Sequence, residues 1–183
     1  MKIQKINVFI FLAVILLCFI PKLGTGQDAE INMSFVKDFR PLWQRAEIYL
    51  IAVAEAMPEE HYGFKPVPET LSFAGQLMHI VQNISWLNST YIAQEKNPFT
   101  DVSPEGKSKQ EVVLLLKDVF AYVNATLENF PDENLKDPVR FGGEDVNKER
   151  ILYLMRDHTT HHRAQAILYL RMQGITPPKY VGW

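Results

Sequence analysis

Cysteine is nearly absent from this chain, since Cys18 is the only one among 183 residues. It lies within an apolar run, Ile6–Ile20, close to the N-terminus. A disulfide framework needs paired cysteines, and a thiolate nucleophile or thiolate metal site needs at least one. If the N-terminal segment is removed, the remaining chain therefore has no disulfide and no thiol chemistry of its own.

The apolar run belongs to a segment that is typical of a secretory signal peptide. A basic start precedes it, and the small residues Gly24-Thr25-Gly26 that follow it suit signal peptidase. We predict cleavage after Gly26 or Gln27, so that residues 1–27 are the signal peptide and residues 28–183 the mature domain. The run has about 15 residues, fewer than the ~20 of a spanning helix, so a retained anchor is less favoured. We expect a periplasmic or extracellular protein, with membrane contact only if the signal peptide is retained.

Clusters of basic residues are also missing. The leader contains three lysines and no acidic residue, so its removal changes the formal net charge from −2 to about −5. Nucleic acids and anionic membranes are bound through concentrated positive charge, which an acidic surface without basic clusters does not offer. We therefore predict no nucleic-acid partner.

The chain has no internal repeat, no low-complexity tract and no convincing strand pattern. Four segments instead place apolar residues at intervals of three and four, as amphipathic helices do, and short Pro- and Gly-rich breaks separate them. The predicted helices run from about Phe35 to Met57, from Thr70 or Ser72 to Gln94, from Ser108 to Asn129, and from Lys148 to Gln173, the last capped by Asp145 or Asn147. Four such helices in one domain predict an all-α fold, a four-helix bundle. Aromatic residues at helical spacing are assigned to its core: Trp43, Trp86, Phe120 and Tyr122.

Three histidines are the most informative residues of the mature chain. His158 and His162 are four residues apart on the fourth helix, so their rings project from one face a single turn apart. His79 lies among apolar residues in the middle of the second helix, where a polar ring needs a partner or a cavity. A bundle can build a metal site in its core from one ligand on one helix and a one-turn pair on another.

Spacing alone leaves two alternatives open. His161, three residues from His158, is as compatible with a shared site as His162. The H-x-x-x-H spacing also matches zinc proteases, whose mechanism needs a glutamate directly after the first histidine as general base. Here that residue is Thr159, which excludes the protease hypothesis.

Two stretches of the sequence resemble one known family. Residues 66–80, PVPETLSFAGQLMHI, resemble the second-helix segment of the DinB-like (DNA-damage-inducible) superfamily. Residues 157–165, DHTTHHRAQ, resemble its fourth-helix signature, in which a histidine is followed four residues later by His-Arg-Gly-Gln. Ala164 departs from the signature where glycine is common, but it is still small enough for close helix packing.

The resemblance implies a four-helix bundle, often dimeric, in which three histidines bind nickel, zinc or a similar divalent ion. It aligns His162, not His161, with the second histidine of the signature, so the implied ligands are His79, His158 and His162. We accordingly expect one divalent metal ion (Ni, Zn, Fe or Mn) and a homodimer. The family name records how a founder was found and gives no reason to predict DNA binding.

Three neutral imidazoles would leave the ion with open positions for water or a substrate. Such an ion can acidify bound water or polarise an oxygen or sulfur ligand. Some members of the family that the sequence resembles transfer small thiols, which gives one enzymatic hypothesis. The other is hydrolysis of an extracytoplasmic small molecule. We therefore predict a metal-dependent hydrolase or thiol transferase. The alternatives are a non-enzymatic metal-binding or stress-related protein, and an interaction bundle with an unused site.

Amide side chains on the second and fourth predicted helices are the candidates for orienting the histidine ligands or a bound water: Gln76, Asn83 and Gln165. Asp157 is expected to pair with Arg156 or Arg163 at the surface. Arg163 is expected to tether its helix or a dimer partner. No carboxylate is convincingly aimed at the site, so no catalytic residue is assigned.

Overall fold

The structure, a computed structural model, describes residues 34–181. The predicted signal peptide, residues 1–27, lies outside the described residues. Four helices account for most of the described chain: α1 (Phe35–Ala56), α2 (Phe73–Leu87), α3 (Lys109–Glu128) and α4 (Lys148–Met172). Shorter turns join them: 3₁₀ turns at Glu59–His61 and Asp132–Lys136, and a π-helical turn at Asn88–Ile92 that continues α2. None of the helices between residues 34 and 181 is long and apolar enough to cross a membrane.

Each helix begins at a side chain that accepts a hydrogen bond from a backbone N–H of the first turn. Such a cap satisfies one of the N–H groups that have no partner within the helix. The capping residues of α1 to α4 are, in order, Ser34, Ser72, Ser108 and Asn147. At α3 the carboxylate of Glu111 also accepts from the backbone N–H of Ser108, at 2.8 Å, which completes a capping box. The structure thus selects Ser72 over Thr70 and Asn147 over Asp145.

The helices pack so that α1 and α2 each contact both α3 and α4. The core that they enclose is apolar, with Trp43 of α1 packed against Phe120 of α3 at a centroid distance of 4.8 Å. The contact between α2 and α4 is the most extensive of the four. This contact carries all three histidines, because His79 is on α2 and the pair is on α4.

A two-stranded hairpin corrects the prediction of a purely helical fold. Strands β1 (Pro138–Phe141) and β2 (Glu144–Asn147) pair antiparallel, and Gly142 and Gly143 form the turn with φ of +60° and +89°. Glycine adopts these positive angles without steric cost, and a two-residue turn of this kind suits the twist of a hairpin. Each strand has four residues, too few to display a clear alternation in the sequence.

The prediction of four core aromatics is also wrong for two of them, because Tyr122 is half-buried outside the apolar core and Trp86 is exposed. Trp43 and Phe120 are fully buried, but the side chain of Trp86 is 42% exposed. Trp86 lies at the C-terminal end of α2 and contacts Tyr91 and Phe141 instead of the interior, at centroid distances of 5.8 and 6.0 Å. A helical stripe predicts which face a residue occupies, but not how far the neighbouring elements extend over it.

Candidate metal centre

The rings of His79, His158 and His162 meet between α2 and α4. Their centroids are 4.9 Å apart for His79 and His158, 4.6 Å for His79 and His162, and 4.4 Å for the pair on α4. One nitrogen of each ring can be chosen so that all three lie within 4.8 Å of one another. The three rings form the only group of three potential metal ligands of this kind within residues 34–181.

His161 does not belong to this group. It is exposed, and its Nε2 accepts a hydrogen bond from the side-chain amide of Gln165 at 2.9 Å. Its ring contacts His162 edge to face, at a centroid distance of 4.8 Å, but contributes no ligand atom to the group. The one-residue difference in position along α4 therefore turns His161 toward solvent and His162 into the contact between α2 and α4.

Gln76 holds His162 in a defined orientation. The Nδ1–H of His162 donates to Oε1 of Gln76 at 2.6 Å, and both side chains are buried. A protonated Nδ1 leaves the lone pair on Nε2, so the ring presents one basic nitrogen to a ligand. Gln76 lies three residues before His79 on α2, and the helix geometry that projects His79 toward α4 places Gln76 against α4 as well.

Tyr169 belongs to the same hydrogen-bond network, although it is not among the site residues expected from the sequence. The amide nitrogen of Gln76 donates to Oε1 of Gln165 at 3.1 Å and to the hydroxyl of Tyr169 at 3.2 Å. The Tyr169 hydroxyl donates in turn to the carbonyl of Leu71 at 3.2 Å. Its position seven residues after His162, two turns along the same face, is the sequence signal that could have indicated it.

The remaining amide side chains near the site, of which Asn83 and Gln165 were expected from the sequence and Gln82 was not, have different surroundings. Gln82 accepts a long hydrogen bond of 3.4 Å from Nδ1 of His79. Oδ1 of Asn83 is buried and has no hydrogen-bond partner among the described residues, and Asn83 makes no hydrogen bond to any of the three rings. Gln165 links Gln76 to His161.

The predicted surface pairing of Asp157 is not observed. Asp157 is exposed and forms no ion pair within residues 34–181. Arg163 lies on a different face of α4, where its guanidinium stands 5.0 Å from the centre of the Tyr49 ring of α1. Tyr180 of the C-terminal tail packs edge to face on Tyr49, at 5.8 Å. Arg163 therefore joins α4 to α1 and takes no part in the histidine site.

Burial keeps the paired histidines neutral. It lowers the pKa of His158 from 6.5 to about 4, with further lowering by His79 and His161. Burial also lowers the pKa of His162 to about 4, and His158, His79 and His161 add to this effect. Both rings are therefore uncharged near pH 7, which is the form that binds metal ions.

The donor set fits a divalent metal ion. Neutral imidazole nitrogens suit Zn²⁺, Ni²⁺ and Fe²⁺ in particular. Nδ1 of His158 is buried without a hydrogen-bond partner among residues 34–181, so this ring is not held by a protein group as His162 is. His79 and His158 are both half-buried, which leaves one side of the group reachable from solvent. No carboxylate hydrogen-bonds to any of the three rings in the described part of the chain.

Fold and site together define a class: a helical bundle in which the second and fourth helices bring three histidines to one point, as in a divalent-metal site. The chain belongs to the DinB family, whose family model matches residues 33–182. It is 24% identical over 127 residues to the uncharacterized protein YjoA of Bacillus subtilis (strain 168), a match that covers 68% of this chain and 81% of YjoA.

Solved structures share the fold. A DinB-like protein from Bacillus cereus ATCC 10987 superposes with a TM-score of 0.70 at 19% identity, over 79% of this chain and 97% of that one. The structure of YjoA gives a TM-score of 0.65 at 20% identity, over 78% and 96% of the two chains. A conserved protein from Enterococcus faecalis gives 0.58 at 16% identity, over 76% and 97%. At these identities the similarity shows the fold of the bundle.

Proposed function

We propose that this protein binds one divalent metal ion through His79, His158 and His162 and uses it to act on a small molecule. The observation that carries the proposal is the convergence of the three rings with Nδ1 of His162 bonded to Gln76. A buried imidazole whose second nitrogen is fixed by an amide oxygen is oriented for metal binding before the ion arrives. Zn²⁺ and Ni²⁺ are the ions we expect first, since both favour imidazole.

The enzymatic form of the proposal is a metal-dependent hydrolase or thiol transferase. A divalent ion with three protein ligands keeps open positions and supplies a water of lowered pKa or a polarised substrate atom. The chain would contribute the accessible side of the site, next to the half-buried His79 and His158, where a small substrate could enter. It would also contribute the hydrogen bonds from Gln76 to Gln165 and Tyr169, which position Gln76 to hold His162. The resemblance to relatives that transfer thiols supports the second reaction class.

Metal analysis and thermal unfolding test the site. The protein should be prepared without a histidine tag and stripped of metal. Adding Zn²⁺ or Ni²⁺ at 100 times its dissociation constant should then raise the melting temperature by about 5–10 °C, because binding to the native state alone adds roughly 2.7 kcal/mol. Calorimetric titration should give one ion per chain.

Matched histidine variants provide the control. His158→Ala should abolish the rise in melting temperature, while His161→Ala, which changes an exposed ring on the same helix, should keep it. A wild-type protein that takes up no ion under these conditions would overturn the proposal. So would equal loss of binding in the two variants, because it would place the ion outside the three-histidine group.

A non-enzymatic metal-binding role is the second candidate, and one observation favours it. Burial is the main cause of the lowered pKa values of His158 and His162, other histidines add to it, and no carboxylate of residues 34–181 contributes. A hydrolase normally has a general acid or base within reach of the metal. Turnover of esters, lactones or thiol-conjugation substrates by the metal-loaded protein, lost in His158→Ala, would select the enzyme. A metal-loaded protein that turns over none of them would select the binder.

Export and dimerisation complete the proposal. The basic start, the apolar run and the small residues before Gln27 support export, and the family resemblance supports a homodimer. Fractionation of expressing cells and N-terminal sequencing would test the first, with cleavage after Gly26 or Gln27 expected. Sedimentation equilibrium of the mature chain would test the second, and a single species of monomer mass would contradict it.

A further inference from the structure

An apolar cavity lies between the hairpin and the N-terminal part of α4, the helix that carries His158 and His162. Its volume is about 280 Å³, and its walls include Phe141 and Val146 of the hairpin and Ile151 and Leu154 of α4. Arg150 and Glu144, one charge of each sign, are the exposed residues at its rim. Ligand pockets commonly have volumes of about 300–1,000 Å³, so this cavity is of a size for one ring or a short branched chain.

Helix geometry relates this cavity to the three-histidine group. Leu154 precedes His158 by four residues, so it lies about 6 Å away along α4 on nearly the same face. On α2, Trp86 follows His79 by seven residues, two turns and about 10.5 Å further along that face. Gln76 contacts His162 and Tyr169, and His79 contacts His158, so α2 and α4 run antiparallel here. Leu154 on α4 and Trp86 on α2 therefore lie on the same side of the three histidines along the bundle.

Three aromatic rings cover this end of the contact. Trp86, Tyr91 and Phe141 touch one another pairwise, at centroid distances of 5.8, 6.0 and 5.6 Å. Phe141 both contacts Trp86 and lines the cavity, so the cluster and the cavity share a wall. The indole of Trp86 remains 42% exposed, so part of its ring stays accessible beside Phe141.

A polar atom without a partner lies between the two places. Asn83 is one turn beyond His79 and one turn before Trp86, and its Oδ1 is buried with no hydrogen-bond partner among the described residues. A buried acceptor without a donor is costly, and an N–H or O–H group of a ligand would satisfy it. Going along the two helices from the histidines toward the hairpin, the order is thus metal ligands, then an acceptor without a partner, then the apolar walls of the cavity.

We propose that the cavity under the hairpin is the specificity pocket of the metal site, and that it takes an aromatic or branched aliphatic group. The ligand would carry this group about one helical turn from the oxygen or sulfur atom that reaches the ion, with a hydrogen-bond donor between them for Asn83. This inference rests on the proposed metal site. It adds the class of ligand: a small, largely apolar molecule with one metal-binding end.

Hydroxamates of graded length provide the test, because they bind metal ions without needing turnover. The zinc-loaded full-length protein is titrated calorimetrically with acetohydroxamate and with 3-phenylpropanohydroxamate. The phenyl compound should bind at least tenfold more tightly, and it should quench the fluorescence of Trp86, an effect that is lost in Trp86→Phe. Burial of one ring provides the reason for the difference.

Two variants of α4 separate the pocket from general hydrophobic binding. Leu154→Trp should fill the cavity and bring the phenyl compound to within about threefold of acetohydroxamate, whose own affinity should not change. The control Leu168→Trp alters an exposed leucine on the same helix and should change neither affinity. Phe141→Ala, which removes a wall of the cavity, is a second variant should Leu154→Trp fail to fold, and it should weaken the phenyl compound alone.

The outcomes distinguish this inference from the proposed function. A protein that binds no zinc overturns the metal site itself. A protein that binds zinc and both hydroxamates equally keeps the metal site but overturns the pocket. Tighter binding of the phenyl compound that survives both Leu154→Trp and Phe141→Ala also overturns it, because the ring would then lie elsewhere and the three aromatic residues would serve only to hold the hairpin.

Discussion

The contact between α1 and α3 and the contact between α2 and α4 are built in different ways. The first buries apolar side chains, among them Trp43, Leu50 and Phe120, which are fully inaccessible. The second buries Gln76, Thr159 and His162 beside its apolar residues. Burying a polar group without a partner costs roughly 1–3 kcal/mol, whereas apolar burial is favourable throughout. The bundle thus has one contact suited to stability and one in which polar groups are retained at an energetic cost.

Hydrogen bonds within the α2–α4 contact limit this cost, because they give most of its buried polar groups a partner close by. The hydroxyl of Thr159 donates to the carbonyl of Met155 at 2.8 Å, within α4 itself. Gln76 uses both ends of its amide, toward His162 on one side and toward Gln165 and Tyr169 on the other. Nδ1 of His158 is the ring nitrogen of this contact that is buried without a hydrogen-bond partner among residues 34–181. Of the polar side chains retained in the α2–α4 contact, Gln76 joins the three-histidine group directly, through its hydrogen bond from His162.

The largest expected effect comes from the apolar contact. Trp43→Ala should lower the free energy of unfolding by about 3–5 kcal/mol, because it removes a fully buried ring and leaves a cavity beside Phe120. Urea unfolding of the metal-free protein would measure it. The comparison further predicts that the folded variant still binds one ion per chain with nearly unchanged affinity, and a large loss of affinity would show that the two contacts are not independent.

A smaller effect is expected from the polar contact. Gln76→Leu preserves the size of the side chain but removes the acceptor for Nδ1–H of His162, so the affinity for Zn²⁺ should fall by about 10- to 100-fold. Calorimetric titration would measure it, with Gln110→Leu, an exposed glutamine of α3, as the control. If Gln76→Leu binds zinc as well as the control does, orientation of His162 by Gln76 contributes nothing.

A third difference between the two contacts is a dependence of stability on pH, which the polar contact should produce and the apolar one should not. Between about pH 6.5 and pH 4 the unfolded chain protonates His158 and His162 while the native chain does not, since their pKa values are lowered to about 4. Stability of the metal-free protein should therefore fall as the pH decreases through this window. Urea unfolding at pH 7 and pH 5 should show a smaller loss for the double variant His158→Ala, His162→Ala, and an equal loss in both proteins would contradict the lowered pKa values.

Much of the helical arrangement could be predicted from the sequence, because local rules control it. Apolar spacing placed the four helices to within a few residues at most ends, and short polar side chains such as Ser108 and Asn147 marked their starts. The hairpin was missed because Val146 is the one buried residue in its two strands, and so no alternating pattern is visible. The exposure of Trp86 was missed because it depends on where the hairpin lies and not on the helix that carries the residue.

The sequence by itself determined the helical periods, the caps and the one-turn spacing of His158 and His162, since each follows from dihedral geometry and hydrogen bonding within a few residues. It did not distinguish His161 from His162 without the family resemblance, because both are near enough to His158. Only the packing of α2 against α4 decided that His162 faces His79 and Gln76 while His161 faces solvent. The same packing brought Tyr169 to Gln76 across 93 residues of chain, a contact that no local rule contains.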